Sequence, residues 1–180
     1  MKLFFASDIH GSATAARAML AAFEKEGAQR LVLLGDALYH GPRNDLPDAY
    51  APKEVIFLLN GVADRIFAVR GNCDTEVDQM VLSFPVLADY AVLPLDGCVG
   101  YLTHGHKPLP PLMPTDIVIS GHTHVAGVGT TPCGHVNLNP GSVSIPKGGT
   151  PPAYMVYENG VFSIRRLDSG EEIERYLLGE

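Results

Sequence analysis

The chain lacks any uninterrupted apolar run of about 18 residues, the length that a membrane-spanning helix requires, which argues against a membrane protein. It is poor in cysteine. Cys73, Cys98 and Cys133 are odd in number and contain no CxxC pair, which argues against a disulfide framework or a zinc–thiolate cluster and leaves reduced thiols as the expectation. It is also short of positive charge: 13 Lys and Arg stand against 20 Asp and Glu, giving −7 with no basic stripe. That balance disfavours a protein that holds long nucleic acid by neutralising phosphates, and it is compatible with countercharge for bound cations. Met1 to Ala6 has the apolar character of a leader's core, but Asp8 and His10 interrupt it, so the cytoplasm is the expected location. No repeat or linker divides the sequence. With 180 residues and 46% hydrophobic content, one domain spanning residues 1–180 is expected.

The first seventy residues alternate between strand and helix signals. Leu3 to Ala6, Leu31 to Leu34 and Ile66 to Val69 are continuous apolar runs of the kind buried on both faces of a sheet. Between the first two, Ser12 can cap a helix whose Ala16, Met19, Leu20 and Phe23 form one stripe, with Gly27 suited to its end. After a loop from Tyr39 to Ala51, Pro52 opens a second helix carrying Val55, Leu58, Leu59 and Val62. Beyond residue 85 the helical period fades and short runs between Gly and Pro predict strands, including Val99 to Leu102 and Ile117 to Ile119. The prolines between Lys107 and Pro114 exclude a regular helix there. Ala153 to Tyr157 and Val161 to Arg166, joined through Glu158-Asn159-Gly160, predict a hairpin, and the last residues can add one more strand.

Most of these apolar runs end in residues able to bind a metal ion. Asp8 and His10 follow the first, Asp36 the second, Asn72 the third, His104 a later one, and His122 and His124 the run ending at Ile119. Ligands fixed to successive strand ends can converge on one edge of a sheet and hold two divalent cations. Gly35 lets Asp36 approach closely enough for its two oxygens to bridge both. Taken singly, each block has a plainer reading. Asp8-x-His10 can be a strand end with a helix cap, Gly35-Asp36 and Gly71-Asn72-Cys73-Asp74 are ordinary turn sequences, and His104 alone suits a satisfied core histidine. Their order is what the plainer readings do not produce.

This ordered set resembles the calcineurin-like metallophosphoesterases, whose blocks D-x-H, G-D, G-N-H-[DE], H and G-H-x-H match at Asp8, Gly35, Gly71, His104 and Gly121. His40-Gly41-Pro42-Arg43-Asn44, Arg70 to Asp74 and Asn139 to Gly149 extend the similarity over nearly the whole chain, to the small bacterial YfcE-like phosphodiesterases. The resemblance implies an α/β four-layer sandwich of two mixed β-sheets flanked by α-helices. It implies a first metal held by Asp8, His10, Asp36 and His124 and a second by Asp36, Asn72, His104 and His122. The metals are expected to be manganese, with iron, zinc or nickel as alternatives. The implied activity is hydrolysis of small phosphodiesters by in-line attack of a metal-bridging hydroxide. Phosphomonoester hydrolysis is the alternative, and a non-catalytic scaffold like the retromer subunit of this fold is the rival. Membranes and long nucleic acids are not expected as partners, whereas a homo-oligomer is suggested.

The catalytic set implied by these blocks is Asp36, Asn72, Cys73 and Asp74, joined by Arg43, whose planar fork suits a non-bridging phosphate oxygen. A solvated surface arginine is the competing reading of Arg43. Cys73 stands where many family members carry a histidine thought to protonate the leaving oxygen. It either serves there as a poorer acid, with dications favouring its thiolate, or packs beneath the site. His106 can line the site, His135 can face solvent in a hairpin, and Asn139 to Gly149, which includes Lys147, reads more simply as a tight loop than as a rim. If Cys73 gives little help to the leaving group, aryl phosphodiesters are cleaved rapidly and rates fall steeply along a series of alkyl leaving groups. Rates that hardly change with leaving-group pKa would contradict this.

Overall fold

Leu3–Ala6 forms β1, and its alternate side chains enter two different cores in the computed structural model, which describes residues 1–179. Phe4 and Ala6 face one apolar cluster, Leu3 and Phe5 the other, as the two-residue period of a strand requires. β2 (Arg30–Leu33) pairs parallel to β1 and divides its residues in the same way, Leu31 and Leu33 to the first cluster and Val32 to the second. β3 (Ile66–Ala68) extends the sheet, again in parallel.

Two helices cover the outer face of this sheet. α1 (Ala13–Glu26) starts where the Ser12 side chain accepts a hydrogen bond from Ala15 N at 3.1 Å, and it stops at Gly27, whose φ of 63° is left-handed. Ala16, Met19 and Phe23 pack against Phe4 and Leu31, together with Val55 and Leu59 of α2 (Pro52–Asn60). A short α3 (Glu76–Val81) follows β3.

β4 (Tyr90–Leu95), β5 (Cys98–Thr103), β6 (Ile117–Ser120), β7 (Ala126–Thr130) and β8 (Val136–Pro140) build the second sheet, in the order β4-β5-β6-β8-β7. The chain then returns to the first sheet as β9 (Ala153–Glu158), β10 (Val161–Arg166) and β11 (Glu172–Leu177), completing the order β11-β10-β9-β1-β2-β3. Leu102, Ile117, Ile119 and Leu138 of the second sheet meet Phe5, Met155, Phe162 and Ile164 of the first, so the inner core lies between the sheets. Both sheets mix parallel and antiparallel pairs. The sandwich with its helical flank is the architecture expected from the sequence. Among the described residues the three α-helices all precede residue 82, and the second half supplies strands and loops.

The expected hairpin is present, turning through Asn159 and Gly160 with φ of 51° and 82°. α3 was not signalled by periodicity because none of its residues is buried. Its start is fixed instead by a capping box between Thr75 and Asp78. β4 tolerates Pro94 because it lies at a sheet edge. The strands β1, β2, β3, β5 and β6 end one to four residues before Asp8, Asp36, Asn72, His104 and His122, bringing all of them to one rim.

One polar cluster ties the end of α1 to the first sheet. Glu26 accepts hydrogen bonds from Lys2 Nζ at 2.7 Å, Tyr154 Oη at 2.8 Å and Arg165 Nη1 at 2.8 Å. Burial pushes the Glu26 carboxyl up, but these partners outweigh it and hold it below its ordinary 4.5. Glu26→Gln is therefore expected to cost about 1–2 kcal/mol of stability at neutral pH. Because the folded-state pKa is depressed, this stabilisation is present above 4.5 and disappears as pH falls through the folded value. Denaturant titrations of both proteins should show the gap closing on the acid side; a gap independent of pH would contradict the assignment.

Candidate metal centre

Among the described residues, seven other than glycine have positive φ, and five of them are Asp8, His10, Asp36, His122 and His124, with values from 51° to 68°. Such backbone is uncommon outside glycine, and its concentration in the candidate ligands marks turns that aim side chains at the expense of local strain. The glycine beside each block serves close approach. A Cβ on Gly71 would stand 2.1 Å from Asp36 Oδ1, and one on Gly121 would stand 2.0 Å from Ser7 Oγ and 3.1 Å from Asp8 Oδ2. A Cβ on Gly35 would meet Gly71 N at 2.5 Å.

Two pairs of imidazole nitrogens face each other at the centre. His10 Nε2 lies 3.3 Å from His124 Nε2, with Asp8 Oδ1 at 3.5 and 3.2 Å from them. His122 Nδ1 lies 3.2 Å from His104 Nε2, which is also 3.0 Å from Asn72 Oδ1. Asp36 Oδ2 stands between the pairs, 3.6 Å from His10 Nε2 and 3.4 Å from His104 Nε2. Donors bound at about 2.1 Å to one cation, at right angles to each other, stand about 3 Å apart, so this spacing suits shared cations. Asp8 supplies a second sign of fit: it is fully buried, and its Oδ1 has no hydrogen-bond partner among the described residues.

The imidazoles are held from behind by backbone carbonyls. Nδ1–H of His10 donates to Tyr39 O at 2.8 Å, that of His104 to Leu34 O at 2.6 Å, and that of His124 to Ile145 O at 2.7 Å. Each bond fixes a tautomer and leaves the Nε2 lone pair directed inward. Burial alone would push Asp8 towards the neutral acid, but the neighbouring His10 and His124 and the charge of His104 hold it well below the usual carboxylate range. Burial likewise opposes charge on His104, yet Asp36 and Asp8 raise it to about 8.

Asn139 to Gly149 does more than cross between strands. Ser142 Oγ and Ser144 Oγ each donate to Asp8 O at 2.8 Å, and Asn139 Nδ2 donates to Gly121 O at 2.8 Å. The segment thus supports the first and last blocks at once. Asp74 is buried under the site, where its carboxylate accepts from Gly71 N at 2.7 Å, Asp36 N at 2.8 Å and Ala37 N at 3.0 Å. It joins the second and third blocks and does not line the pocket.

A cavity of about 580 Å³ opens above the centre, lined by Asp36, Asn72, Cys73, His122 and His124 and, around its mouth, by Tyr39, Arg43, Asn44, Thr75 and Lys147. Arg43 is exposed and lines this cavity. Cys73 is buried and accepts from Asn72 Nδ2 at 3.2 Å. Burial first, then Asp36, push its thiol up to about 12, so the protein's own charges do not favour the expected thiolate. The His106 ring lies 5.3 Å from that of His104. His135 occupies the turn between β7 and β8, away from the cavity lining. The carbonyl supports carry no motif, and Lys147 lies in the segment that reads more simply as a tight loop. A signal for the former lay only in the loop lengths after each strand.

The sequence profile of the calcineurin-like phosphoesterase superfamily domain matches residues 1–160. Phosphodiesterase YfcE of Escherichia coli (strain K12) is 50% identical over 172 residues, covering 93% of each chain. The solved structure of YfcE, described as a phosphoesterase from E. coli, superposes with a TM-score of 0.93 at 48% identity, covering 99% of this chain and 100% of that one. The zinc complex of Vps29 from Entamoeba histolytica shares the fold at a TM-score of 0.62 and 20% identity, covering 99% of this chain and 100% of that one.

Asp8→Asn keeps a residue tolerant of the left-handed turn while removing the charge. Manganese affinity measured by calorimetry is expected to fall by more than the ~10–100-fold typical of outer-shell changes. An affinity unchanged from the unsubstituted protein would contradict the role of Asp8.

Proposed function

The chain belongs to the calcineurin-like phosphoesterase superfamily, and from that premise we propose that it is a metal-dependent phosphoric diester hydrolase acting on small phosphodiesters at a two-metal centre. The observation that carries this reading is the pair of facing imidazole couples on either side of the Asp36 carboxylate. Asp8, His10, Asp36 and His124 would hold one cation, and Asp36, Asn72, His104 and His122 the other, with Asp36 as the bridge. Imidazole and carboxylate donors suit manganese, with iron, zinc and nickel as alternatives. Two such ions, when bound, supply an activated water and neutralise phosphoryl charge during in-line displacement.

The protein's own groups do the rest. The carbonyls of Tyr39, Leu34 and Ile145 keep the rings from reorienting, and Asp74 holds the Asp36 turn against Gly71. Arg43 at the cavity mouth takes a non-bridging oxygen and orients the phosphoryl group. Cys73 contributes little as an acid, because a thiol is a poorer match than an imidazole for proton transfer to a leaving oxygen near neutral pH. A diester with a good leaving group needs no such help, and the relation to a phosphodiesterase supports the same preference. We assign this activity to residues 1–180 as one unit in the cytoplasm, with long nucleic acids outside its substrates because of the acidic balance.

Assays of bis-p-nitrophenyl phosphate and p-nitrophenyl phosphate under equal manganese loading test the reading. The diester is expected to be cleaved faster, with all activity lost to chelator and regained with metal. Faster cleavage of the monoester would favour a phosphomonoesterase, and bound metal without turnover would favour a scaffold. Arg43→Ala is expected to lower kcat/KM by about 10–100-fold with metal content unchanged; unaltered kinetics would remove Arg43 from the site.

A further inference from the structure

The cavity mouth carries more positive charge than one phosphodiester needs, on a chain that is otherwise acidic. Among the described residues, eight of the 13 basic side chains form ion pairs. Arg43 and Lys147, which both line the cavity, are not among them. Asp36, at the floor, is the one carboxylate among the lining residues, and it is committed to the proposed metal bridge. Two cations therefore face the same space without a counterion among the described residues.

Lys147 is fixed in place at both ends. Its backbone N–H donates to His124 O at 2.9 Å, so the residue is tied directly to a candidate ligand. Its Nζ donates to Asn44 Oδ1 at 3.2 Å, while Asn44 Nδ2 donates to His40 O at 2.8 Å. The second bond settles which way the amide points, leaving its oxygen for the lysine. Lys147 thus reaches the loop that holds Arg43 from a segment about a hundred residues later. A lysine with only a neutral amide acceptor retains two further N–H donors for an anion.

We infer that Lys147 is a specificity-determining residue, which, held by Asn44, binds a second anionic group on the esterified alcohol of the substrate while Arg43 takes the phosphoryl oxygen. The substrate class is a phosphodiester with a carboxylate or phosphate on one alcohol. The inference rests on the diesterase reading for its catalytic expression. The volume of about 580 Å³ leaves room beyond the reacting phosphate for such a substituent. A compact ammonium in an open mouth acts through charge more than through shape, so the preference should weaken with salt.

Three diesters with the same p-nitrophenolate leaving group test it: ethyl, carboxyethyl and phosphoryloxyethyl p-nitrophenyl phosphate, at equal manganese loading and low ionic strength. For the unsubstituted protein, kcat/KM for the charged esters should exceed that for the ethyl ester by about tenfold. That ratio should fall to near one in Lys147→Ala, survive in Lys147→Arg, and shrink as salt is added. The carboxyethyl and phosphoryloxyethyl arms identify which anion is preferred. A ratio near one in the unsubstituted protein, or one that persists in Lys147→Ala, overturns the inference. Calorimetric binding of the ethyl and carboxyethyl methylphosphonates, whose alkoxide leaving groups make cleavage slow, separates this result from failure of the diesterase reading. If no ester is turned over, tighter carboxyethyl binding that requires Lys147 still supports the subsite, and equal binding of the two overturns it.

Discussion

Two carboxylates buried within reach of the same imidazole nitrogens are the constraint on which the rest of the structure depends. Asp8 and Asp36 are removed from water, and holding negative charge there costs several kcal/mol unless nearby positive charge compensates it. His10 and His104, each raised by these carboxylates, answer part of that charge in the protein alone, and cations would answer the rest. The strained turns at the ends of β1, β2 and β6, the glycines that let backbone pass under Asp36, and the carbonyls behind three rings all maintain that crowding. None of them is needed merely to close a sandwich. The energy that pays for them comes from the two apolar cores, which are continuous through β1 and β2 and separate the site's demands from the fold's.

Much of the centre was legible in the sequence because strand ends are rigid. An apolar run followed by a polar ligand type fixes both the direction and the approximate position of that ligand, so Asp8, Asp36, His104 and His124 could be read as neighbours before any geometry was known. The hairpin through Asn159 and Gly160 was legible for a similar reason, since its turn residues are chemically specific. What escaped has no side-chain signature. The carbonyls of Leu34, Tyr39 and Ile145 hold rings whatever residues carry them. Ser142 and Ser144 act on the Asp8 carbonyl across more than a hundred residues. α3 shows no buried stripe, so only its cap marks it.

Asp74 and Lys147 illustrate opposite errors of proximity in sequence. Asp74 sits inside a motif block yet faces backbone amides beneath the cavity, whereas Lys147 sits in a loop that reads as a connector yet reaches the cavity mouth. Cys73 lies between these cases. It lines the cavity, but a thiol stands there in place of an imidazole, which shifts the chemical burden to the substrate's leaving group.

The central claim is that Asp36 bridges two cations. Crystals grown with manganese, with diffraction recorded on both sides of the manganese absorption edge, examine it most directly. The account predicts two anomalous peaks about 3.5–4 Å apart, one beside His10 and His124, the other beside His104 and His122, with an Asp36 oxygen between them. A single peak, or two peaks that leave Asp36 outside both coordination shells, would contradict it.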